Sequence, residues 1–108
     1  MIHSVETAIP LPLDRIEAVC ERRGVRRLAL FGSVLGLEFD DASDVDFLVE
    51  FEPGSEQPWE GHMIGLREAL AGLLGRPVDV VDWVAVERSR NPYRRHGILS
   101  GKRLLYAA

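Results

Sequence analysis

The chain has 108 residues, 46% of them hydrophobic and 28% charged, with a formal net charge of −4. That size and composition predict one globular domain with a real core and little room for accessory modules. They argue against a membrane span, a secretory leader and a disulfide scaffold, because no apolar run approaches the roughly 20 residues a span needs and Cys20 has no second cysteine to pair with. The expectation is a soluble cytoplasmic protein, with Cys20 a core thiol on a helix and no membrane partner.

The elements follow in chain order. Leu11 to Arg23 reads as a helix, with Leu13, Ile16, Val19 and Cys20 at helical spacing, Pro12 in the first turn and Gly24 as the stop. Val25 to Phe31 reads as a short strand, broken by Gly32-Ser33, where Ser33 can cap a short helix over Val34 and Leu35. Leu37 to Ser43 is an acidic loop. Asp44 to Phe51 alternates strictly: Val45, Phe47, Val49 and Phe51 form a core face, and Asp44, Asp46, Leu48 and Glu50 lie on the other. Glu52 to Pro58 is a loop, and Trp59 to Leu74 an amphipathic helix with Met63, Leu66, Leu70 and Leu73 on one stripe. Pro77 to Val86 reads as a strand rich in β-branched residues. Asn91-Pro92 opens a further helix to about Ser100, and Leu104-Leu105-Tyr106 is a last apolar segment that hints at an interface. The predicted fold class is α/β (α+β), a small mixed sheet of three to four strands backed by helices, in a single domain over 1–108 with 87–108 as a helical docking segment.

Charge is distributed unevenly. Leu37 to Glu60 holds nine acids and no Lys or Arg, whereas Arg88 to the C-terminus holds six basic residues and no acid. Crowded acids repel one another, and bound cations relieve that repulsion. The acid-rich centre argues against direct nucleic-acid binding, although the basic tail could meet phosphate or an acidic partner.

The chemistry concentrates in three places. Asp44 and Asp46, at i and i+2 on one strand face, can bridge two Mg²⁺ ions, the arrangement needed for a two-metal displacement at a phosphate. Gly32 lets backbone approach a ligand closely, and the turn that follows it offers free amides and the Ser33 hydroxyl to phosphate oxygens. Asp79 and Asp82 are three apart and so face opposite sides of an extended strand; Asp79, set between Val78 and Val80, is the better third ligand or general base. Alone, each piece is a weak signal: Ser33 is an ordinary helix cap in most Gly-Ser turns, and Asp79 could be an edge-strand acid that blocks aggregation.

Together they resemble the nucleotidyltransferase superfamily that includes DNA polymerase β. Its pattern is Gly-Ser, ten residues, Asp-x-Asp and a later strand aspartate; here Gly32-Ser33, Val34 to Ser43, Asp44-Val45-Asp46 and Val78-Asp79-Val80-Val81 match it. The chain's length, the segment Ser89 to Arg95 and the ending Leu104-Leu105-Tyr106 look like the minimal nucleotidyltransferases, many of them antitoxins paired with a helical HEPN-type toxin. The resemblance implies a polymerase β-like fold, catalytic and metal-binding Asp44, Asp46 and Asp79, nucleotide-binding Gly32 and Ser33, Mg²⁺ as cofactor and ATP as substrate. It implies AMP transfer to a partner hydroxyl, typically a toxin tyrosine, and an oligomer with that partner. Two alternatives stand beside it: an antitoxin that neutralises by binding alone, and a transferase acting on a small molecule. Arg90 and His96, spaced Arg-x5-His, fall within the spacing range of the HEPN motif, but that motif belongs to an all-helical fold; His96, His3 and His62 read as surface residues.

Overall fold

A computed structural model describes residues 1–54 and 59–108, and of Trp59 and Glu60 the backbone only. Part of the predicted loop Glu52 to Pro58 therefore lies outside the described residues. The order is α1 (Leu13–Arg22), β1 (Val25–Phe31), a 3₁₀ turn (Gly32–Leu35), β2 (Val45–Phe51), α2 (Trp59–Leu74), β3 (Val78–Asp82), α3 (Trp83–Glu87), α4 (Pro92–Leu99) and β4 (Arg103–Ala107). The four described strands form one mixed sheet in the order β3-β2-β1-β4. β1 is antiparallel to both β2 and β4, whereas β2 and β3 are parallel, joined by the α2 crossover.

Period-two alternation splits the sheet residues between two faces. The larger core packs Leu28, Leu30, Val45, Phe47, Val49 and Leu105 beneath Ile16, Val19 and Cys20 of α1 and Leu66 and Leu70 of α2. These helices bury the stripes that their apolar spacing defines, since a helix whose residues recur at three and four lays them along one side. The other face holds a smaller cluster of Ala29, Leu48, Trp83 and Val86, with Phe31, Val81, Ile98 and Leu99 packed against it. That second cover accounts for Leu48, an apolar residue among the carboxylates of its face: α3 closes over the middle of the sheet. Arg27 fixes α3 in place. Its guanidinium lies 3.9 Å from the Trp83 ring centroid and pairs with Glu50 at 2.9 Å and Glu87 at 3.1 Å.

The structure corrects several expectations at the C-terminal end. β3 stops at Asp82, whose carboxylate accepts from Val84 N (3.2 Å) as the N-cap of α3; the β-branched run past it is helical because the cap and the burial of Trp83 outweigh propensity. Residues 103–107 form an edge strand, not a helical extension, and Leu105 and Tyr106 are buried in it, leaving Leu104 exposed, so this apolar segment is core more than interface. The N-terminal residues pair with β4, His3 N donating to Leu105 O at 2.7 Å. His62 is buried, its ring centroid 5.0 Å from that of Phe51, whereas His96 is exposed and His3 half-buried.

Candidate active site

Three chain segments meet at one end of the sheet, on the face that carries the smaller cluster. In β1 and β2, Phe31 stands opposite Asp46; in β2 and β3, Asp46 stands opposite Asp79. Registered neighbours on adjacent strands send their side chains to the same face about 5 Å apart. The parallel pairing thus turns two carboxylates remote in sequence into neighbours at the beginnings of their strands. Asp82 pairs with Val49 and falls on the opposite parity, as its three-residue offset from Asp79 requires.

Gly32 completes the corner. It has φ +81°, and a Cβ there would collide with Asp46 Oδ2. Both facts require glycine: the left-handed backbone, and the seating of a carboxylate directly against the turn. Ser33 is not the cap that the sequence suggested. The 3₁₀ turn begins at Gly32, Phe31 occupies the capping position, and no side chain caps it. The Ser33 hydroxyl is therefore uncommitted to capping.

Electrostatically the corner is unbalanced. The carboxyl of Asp46, half-buried, is pushed above its ordinary range by desolvation first, then by the negative charges of Asp79 and Asp44. Among the described residues every ion pair involves Arg26 or Arg27 with Glu50 or Glu87; none reaches these three aspartates. Nor do three His, Cys, Asp or Glu side chains converge into a ready-made metal cluster among the described residues. Asp46 and Asp79 are brought together; Asp44, exposed and just ahead of β2, adds its field to theirs. The donor set suits Mg²⁺ all the same, because that ion takes one or two protein carboxylates and fills its remaining positions with phosphate and water oxygens.

The loop that delivers Asp44 is locally built. Ser43 N donates to Asp40 O at 3.1 Å, Ser43 Oγ donates to Asp40 Oδ1 at 3.2 Å, and Ala42 N donates to the same carboxylate at 2.9 Å. Sequence reasoning missed Arg76. Its guanidinium lies over the Phe39 ring (4.6 Å) and reaches the carbonyls of Asp40 and Ser43 at 3.4 Å each, tying the acidic loop to the start of β3. The signal was a lone cation between Gly75 and Pro77, just ahead of the Asp79 strand. An open groove of about 680 Å³ between residues 3–8, Leu35–Leu37 and Arg103–Leu104 contains none of these aspartates. The candidate site is placed at the paired carboxylates rather than in that groove, because adjacent carboxylates can hold a divalent cation.

Comparison with known proteins gives the family. The nucleotidyltransferase domain family model matches residues 15–105, and the chain belongs to that family. It is 42% identical over 79 residues to the protein adenylyltransferase MntA of Thermococcus cleftensis, covering 66% of this chain and 77% of that one. It is 37% identical over 78 residues to a candidate protein adenylyltransferase of Methanocaldococcus jannaschii, covering 72% of this chain and 74% of the other. A solved structure of a candidate minimal nucleotidyltransferase superposes with a TM-score of 0.63 at 35% identity, covering 84% of this chain and 86% of that one. The chain is a nucleotidyltransferase with the minimal domain's fold.

Proposed function

We propose that this chain transfers AMP from ATP to a hydroxyl of a partner protein in a Mg²⁺-dependent reaction, and that the partner is a HEPN-type toxin which the modification silences. The observation that carries this reading is the unneutralised Asp46–Asp79 pair, packed against a glycine turn in a chain of this family. Its relatives' designation as protein adenylyltransferases supports a protein acceptor.

The roles follow from placement. Asp44 and Asp46 would hold Mg²⁺, with Asp79 completing the set; bound there, the ion neutralises triphosphate charge and polarises the α-phosphate. Asp79, on the edge strand and exposed, is open to an arriving acceptor and takes its hydroxyl proton. Gly32 gives the triphosphate close access to backbone amides, and Ser33 Oγ donates to one of its oxygens. A free, buried Cys20 suits the reducing cytoplasm.

One experiment tests the reading: the protein is incubated with labelled ATP, Mg²⁺ and a HEPN-type toxin as partner. Label passes to the partner with wild type and not with Asp46→Asn. Equal labelling by both, or none by either, refutes the catalytic reading. A second reading, neutralisation by contact alone, draws on α4, which has no buried residue and so presents a free basic face. Protection of cells by Asp44→Asn/Asp46→Asn at the wild-type level would select it.

A further inference from the structure

The chain holds two tyrosines, and the fold gives them opposite situations. Tyr106 is buried in β4. Tyr93 is 88% exposed at the second residue of α4. Its turn is firmly set: Asn91 Oδ1 accepts from Tyr93 N at 3.1 Å and from Arg94 N at 3.2 Å, and Pro92 takes the first helical position. Arg90, Arg94 and Arg95 flank Tyr93 in sequence, all exposed, in a segment from Arg88 onward that lacks any acid. A solvent-exposed tyrosine in so basic a segment suits an acceptor that must approach a triphosphate, whose charge the guanidiniums attract.

The same molecule carries the complementary surface. Asp40, Asp41, Asp44 and Asp79 are exposed at the carboxylate corner, with no Lys or Arg from Leu37 to Glu60. α4 packs mainly on α3, and its C-terminal end leads into Arg103, which pairs with Leu30 at the site end of the sheet. Tyr93 therefore lies near the far end of an eight-residue helix, on the order of 10 Å back along its axis. A second copy can bring its basic α4 to this acidic corner, where opposite charges steer the encounter.

We propose that Tyr93 is an acceptor for AMP delivered by a second copy of this chain. The inference rests on the nucleotidyl-transfer reading above. The Tyr93 phenolic oxygen bonds to the α-phosphorus of ATP, the bond from that phosphorus to the pyrophosphate bridging oxygen breaks, and pyrophosphate leaves with the electron pair. The phenolic proton passes to a carboxylate of the donor copy and on to water. Once modified, α4 carries a phosphodiester among its arginines, which lowers its positive charge and weakens its grip on an acidic surface.

The test mixes two full-length variants, both checked for native folding by circular dichroism, with ATP and Mg²⁺. Tyr93→Phe keeps the site and lacks the acceptor; Asp46→Asn keeps the acceptor and lacks the site. Intact mass and peptide mapping then read each chain. The expected result is one AMP on Tyr93 of the Asp46→Asn chain in the mixture, none on either variant alone, and less label when Arg94 and Arg95 of the acceptor are changed to Ala. An unlabelled Tyr93 in both the mixture and the wild-type protein overturns the inference, as does label in wild type that never appears in the mixture. Calorimetry of ATP and Mg²⁺ binding to wild type and Asp46→Asn separates the two failures. Asp46-dependent binding without Tyr93 label sinks self-modification alone; absence of both sinks the transferase reading too.

Discussion

Replacing Gly32 by alanine probes the turn and the carboxylate at once. Two costs arise. The residue sits at φ +81°, where an L-amino acid is disfavoured by about 1–2 kcal/mol. The new methyl also collides with Asp46 Oδ2, and moving that carboxylate out of its rotamer costs roughly another 0.5–1.5 kcal/mol. Gly24 supplies the control, since its φ is +69° but nothing lies within 4 Å of the position a Cβ would take. Gly24→Ala should lose only the backbone contribution, and Gly32→Ala that plus the collision, so the latter melts lower by several degrees, at about 4–8 °C per kcal/mol for a domain near this size. The assay is a thermal-denaturation cycle. In an Asp46→Ala background the collision vanishes, and Gly32→Ala should then cost no more than Gly24→Ala, giving a coupling on the order of 1 kcal/mol between positions 32 and 46. Transfer activity of the single Gly32→Ala variant should fall on the order of 100-fold, because a displaced carboxylate misplaces whatever it holds. Additive stability changes across that cycle, or an active Gly32→Ala variant, would refute the claim that the glycine exists to seat Asp46 against the turn.

Asp46→Asn should raise the melting temperature of metal-free protein at pH 7: the folded carboxyl ionises above its ordinary 3.8, so its charged form opposes folding. That gain should shrink as pH falls toward 3.8 and vanish below it, where the carboxyl is protonated folded or unfolded; scanning fluorimetry in chelator across pH reads it, and a lower melting point for the variant at pH 7 contradicts it. Burial pushes the Cys20 thiol up to about 12, so Ellman's reagent at pH 8 should leave native protein unmodified and react once guanidinium unfolds it. By the same linkage this thiol favours the folded state below about pH 9 and its contribution declines as pH climbs from there toward 12. Arg76→Ala should speed amide exchange at Ser43 and cost about 1 kcal/mol or less, because it removes one ring contact and two long hydrogen bonds from an exposed loop; unchanged exchange there would detach Arg76 from the loop.

What could be read from sequence was whatever a local period or a single backbone preference determines. Alternation over Val45 to Phe51 placed Asp46 on the face away from the larger core, and the three-residue offset of Asp79 and Asp82 set these two aspartates on opposite faces before any pairing was known. β1 and α2 begin and end where apolar runs meet glycine or proline punctuation. What escaped depended on contacts between remote segments. No local rule says that Trp83 and Val86 should curl into a helix rather than extend β3, because their reason is the sheet face they cover together with Ala29 and Leu48. No local rule buries His62 either: its partner Phe51 sits beyond the Glu52–Pro58 loop. Leu105 and Tyr106 look like an exposed apolar tail until β1 is seen to need a neighbour on its other edge.

The carboxylate corner combines both kinds of information. Alternation fixes the face of Asp46 from sequence, but the approach of Asp79 depends on register: Asp46 meets it only because β3 pairs in parallel with Val45 opposite Val78. A slip of one residue along β3 would turn Asp79 to the other face and bring Val78 or Val80 beside Asp46, removing its charged neighbour and burying a carboxylate among Val45 and Phe47. The desolvation cost of that burial penalises the wrong register. The residues that repel one another at the site therefore also help to set the strand pairing that brings them together. Asp79→Val should then remove two things at once, the second carboxylate and part of what fixes the β3 register. Amide-to-amide contacts between β2 and β3, measured by nuclear magnetic resonance, distinguish the effects. Native contacts in an inactive Asp79→Val protein confine Asp79 to chemistry, whereas shifted or doubled contacts show that the same charge serves both fold and reaction.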